Sequence, residues 1–171
     1  MTRISNEFIS ELPELKTDID NISQEWIDKH KPLKRFGVLE HEPSDPILNN
    51  LVSKFNKELF HERFVFMLIR FGPYETYEPH IDASRNTGIN IVIRGDRDKS
   101  PIKYYNENNL IDPVFTYHYK DYPIVMTSQK YHSIFNDSPI ERVLFTIHLK
   151  STITYEMIKS NLESPTQTLF I

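Results

Sequence analysis

From residue 62 onward the chain changes character, and this change constrains the fold more than any other feature. Up to residue 150 it is a succession of short β-forming runs separated by turns. Arg63 to Phe71 is almost continuously apolar, as expected of a strand covered on both faces. Ile89 to Arg94 alternates, with Ile89, Ile91 and Ile93 on one side and Asn90, Val92 and Arg94 on the other. Further strands are expected at Pro101–Tyr105, Val114–Tyr119, Ile124–Thr127, His132–Phe135 and Arg142–Lys150. Turn chemistry at Arg94-Gly95-Asp96 and Asn136-Asp137-Ser138-Pro139 separates some of them. Short strands at this spacing predict a β-sandwich or jelly roll.

Before residue 62 the pattern is helical. Residues 44–60 place Ile47, Leu48, Leu51, Val52, Phe55 and Leu59 on one helical face, with Ser44 or Asp45 as cap and Pro46 in the first turn. A shorter helix around Ser23–His30 would bury Trp26 and Ile27, and residues 5–12 suggest another. The expected architecture is mainly β (α+β): a double-stranded β-helix, jelly-roll or cupin-like, with N-terminal helices packed on one sheet. At 171 residues it reads as one domain: 1–61 as helical support, 62–150 as the jelly-roll core and 151–171 as a C-terminal segment with a closing helix at Thr154–Leu162.

An apolar fraction of 39% and a charged fraction of 26% suit a globular chain and exclude a disordered one. The net charge of -4 argues against a broad nucleic-acid surface. No apolar run is long enough to span a membrane, and residues 1–10 do not read as a signal peptide, so the expectation is a cytoplasmic protein without nucleic-acid or membrane partners. There is no cysteine, so a metal here must be held by His, Asp or Glu.

Among the seven histidines, His80 stands two residues before Asp82. Residues two apart in a strand point to the same side, so both could meet one ion. A third ligand from another strand would complete a two-His, one-carboxylate facial set, which suits non-haem Fe(II). The same spacing also arises by chance in a surface loop. In the segment 131–149, Val143, Phe145, Ile147 and Leu149 form one apolar face, while Arg142, Leu144, Thr146 and His148 form the other. If the more apolar face meets helices, Arg142 projects into the barrel. A buried Arg requires an anion, and a dicarboxylate held through two parallel hydrogen bonds would serve. The alternative is an Arg at a strand start, solvated or paired with an acidic side chain.

Taken together, Pro79-His80-Ile81-Asp82, then His132, then Arg142 ten residues on, resemble the Fe(II)/2-oxoglutarate-dependent oxygenases. The segment from Tyr119 through Lys150, with His132, Asn136 and Arg142, looks most like the aspartyl/asparaginyl β-hydroxylase-like branch. The likeness covers about residues 65–150. It implies that His80, Asp82 and His132 bind Fe(II) and that Arg142 takes the distal carboxylate of 2-oxoglutarate. It further implies that O2 is consumed in hydroxylating an amino-acid side chain, in a protein or peptide or as a free amino acid. The chain departs from that branch at Ile89-Asn90-Ile91, where its amino-acid hydroxylases carry an Arg-x-His element, which leaves the substrate pocket open.

Around this core, Asn90 and Tyr104 are candidates for contact with the cosubstrate, and Tyr74, Tyr77 and Arg85 for contact with a substrate, Arg85 with an acidic one. Tyr105, Thr127 and Ser128 are further pocket candidates. Asn136 is expected to shape its turn, and His118 and His148 to be structural. Two other readings remain: a non-catalytic double-stranded β-helix binding module, and a cupin-type metalloenzyme that does not use 2-oxoglutarate. Oligomeric state is left open.

Overall fold

Alternation of short strands between two layers builds the molecule. The computed structural model describes residues 3–16, 22–32, 36–38, 46, 50, 65–149 and 152–163. The strands are β1 (Ile9–Glu11), β2 (Phe36–Val38), β3 (Val65–Phe71), β4 (Thr76–His80), β5 (Thr87–Arg94), β6 (Ile102–Asn106), β7 (Asn109–Tyr117), β8 (Ile124–Thr127), β9 (His132–Phe135) and β10 (Arg142–His148). The helices are α1 (Gln24–His30) and α2 (Tyr155–Glu163). A six-stranded antiparallel sheet has the order β1-β8-β5-β10-β3-β2, and a four-stranded one the order β4-β9-β6-β7. From β3 to β10 the chain passes back and forth between the sheets, which is the double-stranded β-helix expected from the sequence.

The period-two patterns divide the core into two parts. Ile89, Ile91, Ile93, Val143, Phe145 and Ile147 face outward from the large sheet and are covered by Leu12, Leu15, Ile27, Tyr155 and Ile158. Both the N-terminal segment and the C-terminal helix therefore cover that sheet. Ile69, Phe71, Val92, Leu144, Tyr104, Tyr119 and Ile134 face inward and fill the space between the sheets. Each such side chain contributes roughly 1.5–3 kcal/mol by leaving water. The barrel is thus packed through most of its depth, and a ligand has room only where polar groups interrupt the packing.

Two local expectations change. Residues 5–12 do not form a helix; Ile9–Glu11 is the edge strand β1, paired with β8 from Ile9↔Met126 to Glu11↔Ile124. The physical reason is period two: Ile9 packs inside the barrel and Leu12 in the outer layer, and the edge of β8 supplies partners for the backbone. β7 begins at Asn109, five residues before the expected Val114, despite Pro113. It is an edge strand, and its register with β6 shifts beside Pro113, so the missing donor is tolerated. α1 matches its expected place, with the Ser23 hydroxyl capping the Trp26 amide at 3.0 Å. Most of the 44–60 helix lies outside the described residues; Pro46 and Asn50 within it are helical.

Candidate metal and anion site

His80 ends β4 and His132 begins β9, and the two are directly opposite in the ladder. Tyr104 of β6 opposes His132 on its other side. Cross-strand partners share a face, so all three rings point into the barrel, with the His80 and His132 centroids 4.4 Å apart. Asp82 lies just beyond the end of β4, where the chain turns back across the mouth. Its Oδ1 is 3.3 Å from His80 Nε2 and 4.0 Å from His132 Nε2. One ligating atom from each of the three residues falls within 4.8 Å of the other two.

Backbone carbonyls set the direction of both imidazoles. His80 Nδ1 lies 2.8 Å from the Glu78 carbonyl and His132 Nδ1 2.9 Å from that of Lys130. A carbonyl can only accept, so each Nδ1 carries the proton and each Nε2 presents a lone pair toward Asp82. His132 is fully buried, and its Nε2 has no hydrogen-bond partner. A buried acceptor left without a donor is costly unless something electron-deficient occupies the space before it. Two such nitrogens and one carboxylate oxygen form a donor set that suits a divalent transition metal and leaves several coordination positions open. The residues therefore fit Fe(II).

The charges agree with this. Burial opposes ionisation of Asp82, but the nearness of the His80 ring and the charge and hydrogen bond of Arg85 prevail and hold its carboxyl below the ordinary range. Burial pushes His132 down to about 4, and His148 likewise to about 4. Both are therefore neutral in the folded chain where an unfolded one would begin to protonate near 6.5. Stability conferred by these depressed values is complete above that unfolded pKa and is lost as pH falls toward 4. The metal-free protein should lose a few kcal/mol across that window, most of it through His132 because His148 is partly solvated. Urea midpoints at pH 7, 6, 5 and 4 would check this; a His132→Gln protein should show a shallower decline.

The loop carrying Asp82 and the loop leading to His132 form one hydrogen-bonded unit. The Asp82 amide donates to Ser128 O at 3.1 Å, and the Ser128 amide to Asn86 O at 3.0 Å. The Ser128 hydroxyl donates to Arg85 O at 2.8 Å, and Gln129 Nε2 reaches the carbonyls of Asp82 and Arg85 at 3.1 and 2.8 Å. Ser128, a pocket candidate, thus braces the ligand loop.

Behind the triad lies Arg142. It is fully buried, and none of its three guanidinium nitrogens has a hydrogen-bond partner. Its guanidinium carbon stands 5.4 Å from the Phe71 ring centroid and 5.1 Å from that of Tyr119, whose buried hydroxyl is also unpartnered. Aromatic faces stabilise a cation only partly, and a guanidinium in a dry interior calls for an anion. A small anion seated there would receive donors from both Arg142 and Tyr119. Gly95, at φ +119°, lets β5 pass beside this residue, since a Cβ there would approach Arg142 Cα to 3.0 Å. A cavity of about 400 Å³ opens beside the triad, lined by Phe36, Met67, Ile69, Phe71, Tyr77, His80, Asp82, Arg85, His132, Ile134 and His148 among others. Phe71 is common to both, lining the cavity and lying under the Arg142 guanidinium.

The remaining sequence candidates separate. Tyr77 lines this cavity with its ring 4.1 Å from His80. Tyr104 packs 5.9 Å from His132, but its hydroxyl donates to Thr127 O at 2.8 Å. Asn90 lies inside the barrel, accepting from Thr146 at 2.5 Å and reaching Met126 Sδ at 2.9 Å. Arg85 does not extend outward toward an acidic substrate; it is buried, with Nε 2.5 Å from Asp82 Oδ2. Tyr74 is 67% exposed and lines a separate groove on the outside of the small sheet. The Tyr105 hydroxyl pairs with Ser133, and Asn136 shapes its turn by donating to the carbonyls of Gly72 and Ile140.

One residue of the anion site is absent from the sequence expectations: Tyr119 follows Tyr117 at strand spacing, which is the available signal, but its alignment with Arg142 depends on how β7 runs into β8. His148, expected to be structural, lies far along β10 from Arg142 and lines the cavity together with His80 and His132.

Comparison with known proteins gives a likeness of fold. No protein-family model matches the chain, and neither does any curated protein. A prolyl-4-hydroxylase from Pseudomonas putida superposes with a TM-score of 0.52 at 12% identity, covering 84% of this chain and 92% of that one. A 2OG-Fe(II) oxygenase family oxidoreductase from Burkholderia pseudomallei gives 0.43 at 15% identity, covering 70% and 63%. An oxalate oxidase bound to glycolate gives 0.42 at 15% identity, covering 71% of this chain and 54% of that one, so this chain spans about half its length.

Proposed function

We propose that this chain is an Fe(II)- and 2-oxoglutarate-dependent oxygenase that hydroxylates an amino-acid side chain, in a protein or peptide or as a free amino acid. One observation carries the reading. A fully buried guanidinium without a partner lies in the same barrel as a two-His, one-carboxylate cluster whose buried imidazole nitrogen also lacks one. A cupin-type metalloenzyme that makes no use of a dicarboxylate leaves Arg142 unexplained, and an inert module leaves both unexplained. The likeness to a prolyl-4-hydroxylase fold is compatible with this reading. The assignment to the aspartyl/asparaginyl β-hydroxylase-like branch rests on the spacing of His132, Asn136 and Arg142.

His80, Asp82 and His132 would hold the iron. When bound, it supplies activation of O2 coupled to oxidative decarboxylation of the 2-oxo acid, with one oxygen atom delivered to a substrate C–H bond. The chain's own residues bind, orient and exclude water. The two Nδ1–H···O=C bonds fix the imidazoles with their Nε2 lone pairs facing inward. Arg142, with Tyr119, takes the distal carboxylate of the cosubstrate. Phe71, Ile69 and Ile134 keep water from the space between. Tyr77, with the partly exposed Phe36 and Ile81, meets the substrate at the mouth. No described helix is long and apolar enough to cross a membrane. Residence in the cytoplasm belongs to the proposal, since a reducing compartment keeps iron ferrous.

The test is an anaerobic titration of metal-free protein with Fe(II), then 2-oxoglutarate, followed by visible absorption. A charge-transfer band that requires both additions is the expected result. Iron binding without the band would favour the cupin-type enzyme. Folded protein that binds no iron would favour the inert module.

A further inference from the structure

We infer that Arg85 is a positioning residue for the metal-binding carboxylate, holding Asp82 by one oxygen so that only the other faces the two imidazoles. The inference rests on the reading of His80, Asp82 and His132 as a metal site. Asp82 Oδ2 accepts from Arg85 Nε at 2.5 Å, while Oδ1 is the atom near His80 and His132. The two oxygens thus have separate partners.

Arg85 is itself held in place. It is 6% exposed, and its Nη1 donates to Thr146 Oγ1 at 3.1 Å. That hydroxyl donates onward to Asn90 Oδ1 at 2.5 Å, inside the barrel. Gly88 clears the path: a Cβ there would come within 2.7 Å of Arg85 Nη1 and 3.2 Å of its guanidinium carbon. The Arg85 backbone carbonyl is held by Ser128 and Gln129, on the loop leading to His132.

A carboxylate free to turn can offer a metal either oxygen or both. Tied through Oδ2, Asp82 occupies a single coordination position and leaves the others for the cosubstrate and O2. Outer partners of metal ligands typically change metal affinity 10–100-fold when removed. This role also explains why a charged side chain three residues after Asp82 is buried rather than solvated.

The experiment uses Co(II) as probe, read by affinity and by its visible ligand-field spectrum, which reports coordination number and ligand geometry. Arg85→Gln should weaken Co(II) about 10–100-fold and alter the spectrum. Arg85→Lys, which keeps the charge but not the fork of donors, should recover part of the affinity. Gly88→Ala leaves Arg85 in the sequence but displaces its guanidinium, and should shift affinity and spectrum in the same direction. Wild-type Co(II) affinity and spectrum in folded Arg85→Gln would overturn the inference, as would tighter binding. If Arg85→Gln does not fold, Gly88→Ala decides in the same way. Asp82→Ala separates the two levels. If it keeps wild-type Co(II) affinity, the metal reading fails; if it loses affinity while Arg85→Gln and Gly88→Ala keep theirs, only the role of Arg85 fails.

Discussion

Replacing His132 by alanine should abolish stoichiometric Fe(II) binding, and His80→Ala should do the same. Each change removes one of three donors, and among the described residues no other His, Asp or Glu group meets the geometry of a metal cluster. The loss should exceed the roughly 100-fold that marks the upper end for an outer partner. His132 should show the larger effect. It is fully buried with its Nε2 aimed into the site, whereas the His80 side chain is 21% exposed and can be replaced in part by water. Anaerobic equilibrium dialysis with Fe(II), alongside urea unfolding to establish that each variant is folded, measures this. Stoichiometric iron retained by folded His132→Ala would remove the triad from consideration.

Replacing Arg142 by methionine should abolish 2-oxoglutarate binding, leave metal binding intact and make the ligand-free protein no less stable. The first effect follows from the loss of a charge-assisted pair in a dry interior, worth about 3–5 kcal/mol, or on the order of 100- to 1,000-fold or more in affinity. The last effect is the distinctive one. Arg142 is fully buried without a hydrogen-bond partner, so the ligand-free fold carries an unrelieved cost, which an apolar side chain of similar length removes. Wild-type protein should gain about 2.7 kcal/mol at a 2-oxoglutarate concentration 100 times its Kd, and Arg142→Met should gain nothing. Thermal unfolding with and without the compound separates the two. A variant that is strongly destabilised and still responds to 2-oxoglutarate would show that Arg142 is a structural residue rather than an anion receptor.

Both predictions depend on residues that a reading of the sequence can find, and the reason is local. Strand periodicity sorts side chains by parity. Once β10 is recognised, Val143, Phe145 and Ile147 must share one face, and Arg142, Leu144 and Thr146 the other. No strand is expected around His80 from the sequence, and Asp82 lies past the end of β4 rather than in it; there the distinct chemistry of His and Asp in a chain without cysteine narrows the search for a metal site. The limits of β8 and β9 coincide with the expected runs because β8 is a short apolar and β-branched stretch and β9 ends at the turn residues Asn136-Asp137-Ser138-Pro139.

Parity loses its force where the polypeptide leaves the ladder. Arg85 stands in a loop, and its sequence neighbours describe an exposed cation; only the approach of β10, bringing Thr146 within 3.1 Å, and the space left by Gly88 turn it inward onto Asp82. Tyr119 lies past the end of β7, and its place against Arg142 is decided by packing between distant segments. At the N-terminus, Ile9–Glu11 is too short for local preference to specify a helix or a strand; the open edge of β8 made it a strand.

The amino-acid sequence by itself determined the β-rich core, the common face of Arg142, Leu144 and Thr146 and the donor chemistry of His80, Asp82 and His132, because these follow from side-chain type and a repeat of two. Only the tertiary structure decided that His80 and His132 stand opposite one another, that the Arg142 face turns inward, that Arg85 bonds to Asp82, and that His148 lines the cavity beside the His80–Asp82–His132 cluster. Those relations are set by strand register and by which sheet each strand joins. Both are properties of contacts between segments far apart in the chain, which local preference cannot specify.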